Sequence, residues 1–134
     1  MNNSEFLELI EKHPNLTVEG FGVSMSNELR KSSYEKRPSR SEESVFAESR
    51  QQLKDLYKEF LLCSEYLETH PDWKEGINSH HLKDLVQDWA HTEHLWRTYI
   101  PQGAMILAAH YAGLTVHKCG SRVDGRVWRE EPTA

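Results

Sequence analysis

The stretch from residue 80 to residue 94 holds His80, His81, Asp84, Asp88, His91 and His94. Asp88, His91 and His94 follow one another at intervals of three, so on a helix they share a side. Imidazole and carboxylate at that spacing are the donor set that a zinc or iron ion takes from a helix. His80 stands three turns away from His91 on such a helix, too far to reach the same ion, so His110 or His117 would have to complete the site. His91-Thr92-Glu93-His94 brings the second histidine one residue too early for the HExxH of zinc peptidases. A single Asp-x-x-His is also fewer than a carboxylate-bridged dimetal bundle uses. The competing reading is a solvated polar face opposite Leu82, Leu85 and Trp89, with no cofactor at all.

Nucleophilic chemistry has less to build on. The chain lacks GxSxG, and its two cysteines, Cys63 and Cys119, form no CxxC pair. Cys63 falls among apolar residues and reads as an inert buried thiol. Cys119 follows Lys118 and lies two residues from His117, which makes it the more reactive of the two by electrostatics. Gly20-Phe21-Gly22 is a lone GxG without the third glycine or the Lys-Ser/Thr pair of a phosphate loop.

Two basic groups suggest binding. Arg30, Lys31, Lys36, Arg37 and Arg40 lie in a serine-rich, apolar-poor stretch at 27–44, partly opposed by Glu28, Glu35, Glu42 and Glu43. Such a composition buries too little apolar area to offset chain entropy, so the stretch is expected to be a mobile linker or an arm that orders on an anionic partner. Arg122, Arg126 and Arg129 form the second group, near the end of the chain. Together with a helix-turn-helix order ahead of them they would suit a basic wing on nucleic acid. Against this, the helix that would enter the groove has only Gln102 and His110 as polar positions, and base edges are read by polar side chains.

The elements that position these residues follow from apolar spacing. Phe6, Leu7, Leu9 and Ile10 predict a short helix from Ser4, capped by that serine and ended before Pro14. Phe21, Val23 and Met25 alternate as in a brief strand, although a covering loop anchored by Phe21 is preferred. Phe46, Ser49, Leu53, Leu56, Phe60, Cys63 and Leu67 recur at three and four, predicting one long helix over 46–67, capped by Ser41 or Ser44 and ended at His70-Pro71. At about 25 residues it would run close to 37 Å, and its seam would serve the core or a homodimer. Asn78 is the expected cap of a third helix, with Ile77 and Leu82 as a hydrophobic staple and Leu95 and Trp96 extending its apolar face. Pro101 suits the first position of a fourth helix, apolar nearly all round and closed by Gly113. Ala104, Ala108 and Ala112 make a stripe along which another helix can approach. Leu114, Val116, Val123, Val127 and Trp128 predict a terminal β-hairpin turning at Asp124-Gly125.

These elements amount to a mainly α fold, α+β at the margin: one four-helix compact domain over 1–134 with a small C-terminal β-hairpin. The core is expected to hold Phe46, Leu53, Leu56, Phe60, Leu82, Leu85, Trp89, Ile106 and Leu107. The 134 residues suffice for a core without disulfides. With 21 acidic against 16 basic residues the chain has a formal charge of −5, neither a basic nucleic-acid binder overall nor an acidic nucleic-acid mimic. Its eight histidines make the surface potential sensitive to pH. Two unpaired cysteines and the lack of a basic-then-apolar start predict a reduced, cytoplasmic protein. The most apolar run, Ala104 to Ala109, is far short of the roughly 20 residues that span a bilayer, so no membrane partner is expected.

One region resembles a group of small bacterial and mobile-element proteins of no established activity. They carry Y-G-L-K-H, then Y-I/V-x-N-G-A-x-I-x-A-A, then G-F/L. Here the corresponding residues are His80-His81-Leu82-Lys83-Asp84, then Tyr99-Ile100-Pro101-Gln102-Gly103-Ala104-Met105-Ile106-Leu107-Ala108-Ala109, and Gly113-Leu114. The match covers about a quarter of the chain. The first motif departs from the pattern at three of its five positions, and Gln102 replaces the asparagine of the second. The resemblance implies a phage, plasmid or integrated-element origin and supplies no catalytic residues. Small proteins of that origin often act on host machinery, including defence complexes, as anti-CRISPR-like inhibitors or accessory factors. The leading expectation is therefore a non-enzymatic protein-interaction module that binds a protein complex through Arg30, Lys31, Lys36, Arg37, Arg40, Arg122, Arg126 and Arg129. The alternatives are a His/Asp metal protein with hydrolase activity, and a nucleic-acid binder using the basic arm and hairpin.

Overall fold

The computed structural model describes residues 1–94 and 98–130, with the backbone alone at His94. Within them the chain forms six helices and five short strands: α1 (Asn3–Glu11), β1 (Leu16–Thr17), β2 (Gly20–Phe21), α2 (Ser26–Glu35), α3 (Glu42–Leu53), α4 (Tyr57–Thr69), β3 (Ile77–Asn78), α5 (Ser79–His94), α6 (Gln102–Tyr111), β4 (Thr115–Lys118) and β5 (Gly125–Trp128). The fold is mainly α with a minor β part, and it has six helices where four were expected.

Helix α6 is the centre. Every residue from Gln102 to Ala109 is buried, and α1, α4, α5, both strands of the first hairpin and β4 pack around it. This is the expected fate of a helix apolar on all sides. Pro101 is its N-cap, one position earlier than expected. The end is a Schellman motif: Gly113 takes φ +80°, its N–H reaches the His110 carbonyl, and the Leu114 N–H reaches that of Ala109. At the other end α6 almost touches backbone. A Cβ on Gly103 would stand 1.9 Å from the Thr17 carbonyl oxygen, so glycine alone fits beneath the β1–β2 turn. The Gly103 N–H donates to the Val18 carbonyl at 3.1 Å, and the Gln102 amide donates to that of Glu19 at 2.9 Å. The turn thus satisfies one backbone donor that the start of the helix leaves open, and a side-chain amide beside it. Ala104 and Ala108 of the small-residue stripe are fully buried, while Ala112 is exposed.

The single helix expected over 46–67 is two. Three successive short-range bonds, Lys54 to Gln51, Asp55 to Gln52 and Leu56 to Leu53, tighten the end of α3. Leu56 then leaves helical geometry, and α4 restarts with the Phe60 N–H on the Leu56 carbonyl. Apolar spacing of three and four persists across the break, which is why the sequence conceals it. Bending the chain there lets Leu53 and Phe60 both reach full burial in one small core, where a straight rod of 37 Å would overshoot. The apolar seam is therefore used within the chain. Of the expected core, Leu53, Phe60, Leu82, Ile106 and Leu107 are fully buried. Leu56, Leu85 and Trp89 pack on it partly exposed, and Phe46 is half-buried.

Other boundaries shift by local chemistry. Asn2 caps α1, accepting from the Glu5 N–H at 2.9 Å, in place of Ser4. Ser41 caps α3, accepting from Ser44. Asn78 accepts from the His80 N–H at 2.8 Å, as expected of a cap. Residues 16–21 form a two-stranded antiparallel hairpin, where a loop was preferred. The C-terminal hairpin gains a third strand, in the order β3-β5-β4. Its turn spans 119–124, so Asp124-Gly125 is not the turn: Gly125 already pairs with Lys118. Leu95 and Trp96, expected to extend the α5 face, lie outside the described residues. Among the described residues no helix is long and apolar enough to cross a membrane.

Candidate functional site

Most of 27–44, expected as a linker, is regular structure: α2, a left-handed cap at Lys36 and the first turn of α3. Apolar burial hardly contributes, which is why composition misses it. A polar clasp holds the helix. Glu28 is buried, and its two oxygens accept from the two terminal nitrogens of Arg37 at 2.8 and 3.3 Å, a forked pair. The Arg40 N–H adds a bond to Glu28 at 3.2 Å. Hydrogen bonding from Arg37 holds the Glu28 carboxyl below its ordinary pKa. On the same inner side Ser32 meets Ser39 at 3.3 Å.

The clasp leaves the opposite side of α2 outward. Asn27, Arg30, Lys31 and Tyr34 follow at i, i+3, i+4 and i+7, one stripe along the helix. Tyr34 is 88% exposed. The phenol adds exposed aromatic area among the cations of the stripe, an apolar body with a polar tip.

The eight basic residues expected to contact a partner therefore divide. Arg37 pairs with Glu28 and Glu35, and Arg40 with Glu48 and the Ser44 hydroxyl. Arg122 pairs with Asp124 at 3.0 Å, and Arg126 donates to the Gly76 carbonyl. Arg129 binds Glu75 and the carbonyls of Pro71 and Trp73, with its guanidinium 3.8 Å above the Trp73 ring. Arg30 donates to Asn27 of its own helix. Lys31 and Lys36 are exposed on and just beyond α2. The outward cations of α2 and its cap are thus Arg30, Lys31 and Lys36, while Arg126 and Arg129 tie β5 and its end to residues 71–76.

The histidine-rich side of α5 faces solvent: His80, His81, Asp88 and His91 are exposed. His80 lies 3.8 Å from Asp84, which also meets Lys83 at 3.2 Å. The His94 side chain lies outside the described residues, and among the described ones no three His, Cys, Asp or Glu side chains gather as a metal site would need. Lys83, within the first resemblance motif, is buried. It reaches Gln87 and sits 4.6 Å from the centre of the Tyr99 ring, while Gln87 accepts from the Ile100 N–H. The two motifs therefore meet through Lys83 and Gln87. Both cysteines are free thiols, and complete burial pushes the Cys63 thiol far above its ordinary value.

The start of α5 borders an open cleft of about 630 Å³, lined also by Val23, Ser24, Gln102 and the 121–124 turn. Gln102 of its lining is held by a bonded chain: the Gly125 N–H donates to the Ser79 hydroxyl at 2.9 Å, and that hydroxyl donates to the Gln102 side-chain amide oxygen at 2.8 Å. The sequence carried hints of it only as a helix cap at Asn78 and a turn at Asp124, residues 46 positions apart that meet at 2.6 Å.

Comparison with protein-family models, with curated proteins and with solved structures finds no match.

Proposed function

We propose that this protein is a non-enzymatic interaction module that engages an acidic surface of a protein partner through the outward stripe of α2. The observation that carries this reading is Tyr34, 88% exposed between Arg30 and Lys31 on a helix whose other side is clasped by Glu28 and Arg37. Tyrosine and arginine are the side chains most often found at the energetic centre of protein interfaces. The cations steer an acidic partner and the phenol supplies apolar area once it docks. The resemblance of short motifs within residues 80–114, about a quarter of the chain, to mobile-element proteins suggests that the partner belongs to host machinery, such as a defence complex, on which this chain acts as inhibitor or accessory factor.

A protein partner is favoured over nucleic acid by how the arginines are used. Tracking a phosphate backbone calls for a continuous run of unengaged cations, and here Arg37, Arg40, Arg122 and Arg129 already hold carboxylates of their own chain.

The test is crosslinking and capture from host lysate with the wild type and with the R30E/K31E/Y34A triple variant, all three on the solvent side. The expected result is one or a few acidic proteins captured by the wild type and lost with the variant, at unchanged circular dichroism. Equal capture by both, or capture of nucleic acid alone, overturns the assignment.

A further inference from the structure

Asp124 is 4% exposed, yet its carboxylate is only half used. Oδ2 accepts from the Asn78 amide at 2.6 Å and meets Arg122 at 3.0 Å. Oδ1 is buried and has no hydrogen-bond partner. A buried anionic oxygen with idle lone pairs is costly, and native structures seldom leave one without a purpose.

The cation on Asp124 is loosely invested. The Arg122 side chain is 74% exposed, so water screens most of its attraction to the carboxylate and the pair contributes little to stability. Beside the pair lies the cleft of about 630 Å³, within the size range of small-ligand sites. Gln102 of its lining is fixed by the Gly125–Ser79–Gln102 chain and tied in turn to the Glu19 carbonyl. Asp124, which carries the unsatisfied oxygen beneath the surface, and the exposed Arg122 both line this cleft. Ser24, Ser121 and the imidazoles of His80 and His81 complete the lining with groups able to meet a polar body.

We propose that this cleft binds a small organic cation whose ammonium or guanidinium group displaces Arg122 from Asp124 and supplies the missing donor to Oδ1. The donor chemistry sets the sign of the ligand. An anion would face the Asp124 carboxylate, whereas a cation with several N–H groups can serve both oxygens at once, as a guanidinium does in a forked pair.

The experiment is an NMR titration of the ¹⁵N-labelled full chain with three probes up to about 10 mM: agmatine, n-butylammonium and butyrate. A shift of the Gly125 and His80 amides by agmatine, by n-butylammonium or by both supports the site, and which of the two binds tells guanidinium from ammonium. Butyrate leaves those amides in place. Asp124→Asn weakens the bound cation about tenfold or more, the scale of a charge-assisted bond. That variant also touches the fold, so the deciding one is Arg122→Ala at an exposed position. It removes the incumbent and tightens the cation severalfold. Silence of both amine probes, a matching response to butyrate, or affinity unchanged or weakened in Arg122→Ala overturns the proposal.

Discussion

His13 and His110 stack face to face, their ring centres 4.2 Å apart and their planes 18° from parallel, joining the end of α1 to the last turn of α6. Burial, then the neighbouring His13, pushes His110 down to about 4 from an ordinary 6.5. Burial, then Lys12 and Arg50, lowers His13 as well. His110 is therefore neutral in the folded chain where the unfolded chain charges it, and His13 charges less readily than it would unfolded. Between pH 6.5 and 4 the unfolded state binds more protons, so stability rises with pH there and is lost as pH falls. With screening at these part-exposed rings the loss is about 1–2 kcal/mol. Urea melts at pH 7 and pH 5 measure it, and His110→Gln flattens the difference. An equal drop in that variant would show that the stack is not responsible.

Arg50 supplies what α1 lacks. That helix has no basic residue in its last turn, and Arg50 of α3 reaches across to donate to the carbonyls of Ile10, His13 and Leu16 at 2.8–2.9 Å. Removing the guanidinium leaves three part-buried carbonyls short of a donor. Arg50→Ala is expected to cost about 2 kcal/mol, and Arg50→Lys to recover less than half, because one ammonium cannot span three acceptors. Thermal melts of the two variants check this. Lysine at full wild-type stability would reduce the contact to simple charge.

Gly103 is the tightest point of the core. Its hypothetical Cβ meets Thr17 backbone, which cannot rotate away as a flexible side chain would. Gly103→Ala therefore pushes the β1–β2 hairpin off α6 and breaks the bonds from Gly103 and Gln102 to that turn. The expected loss is about 3 kcal/mol, read as a lowered denaturation midpoint with extra exchange at residues 16–21. An alanine variant as stable as the wild type would mean that the hairpin contact is not tight in solution.

What the sequence made legible was local. Ser41, Asn78, Gly113 and the apolar run from Ala104 to Ala109 act through neighbours a few residues away, and each does in the fold what its type and position suggest. What it hid was set by distant partners or by polar groups. The break at Lys54–Leu56 preserves the apolar period and changes only the direction of the chain. Helix α2 is held by one ion-pair clasp, which a count of apolar residues reads as disorder. Asp124 looks like a turn residue until Asn78 is brought to it. The candidate face followed the same rule: basic residues at 27–44 were visible as a group, but which of them point outward depended on Glu28.

That dependence yields the last prediction. Glu28 is the buried centre of the clasp and lies on the side of α2 away from Tyr34, so it cannot touch a partner docked on the stripe. Glu28→Gln keeps the shape but removes the charge that two Arg37 nitrogens and the Arg40 amide address. Amide exchange should quicken across 26–35 and stay unchanged in α4 and α6, since local opening draws on local contacts. If α2 is the interface, partner capture weakens in step with that loosening, because the stripe must be re-ordered at each encounter. Arg37→Lys should behave alike, a lysine being unable to fork across both oxygens. Quickened exchange with undiminished capture would place the interface elsewhere. Unchanged exchange would show that the clasp does not hold the helix.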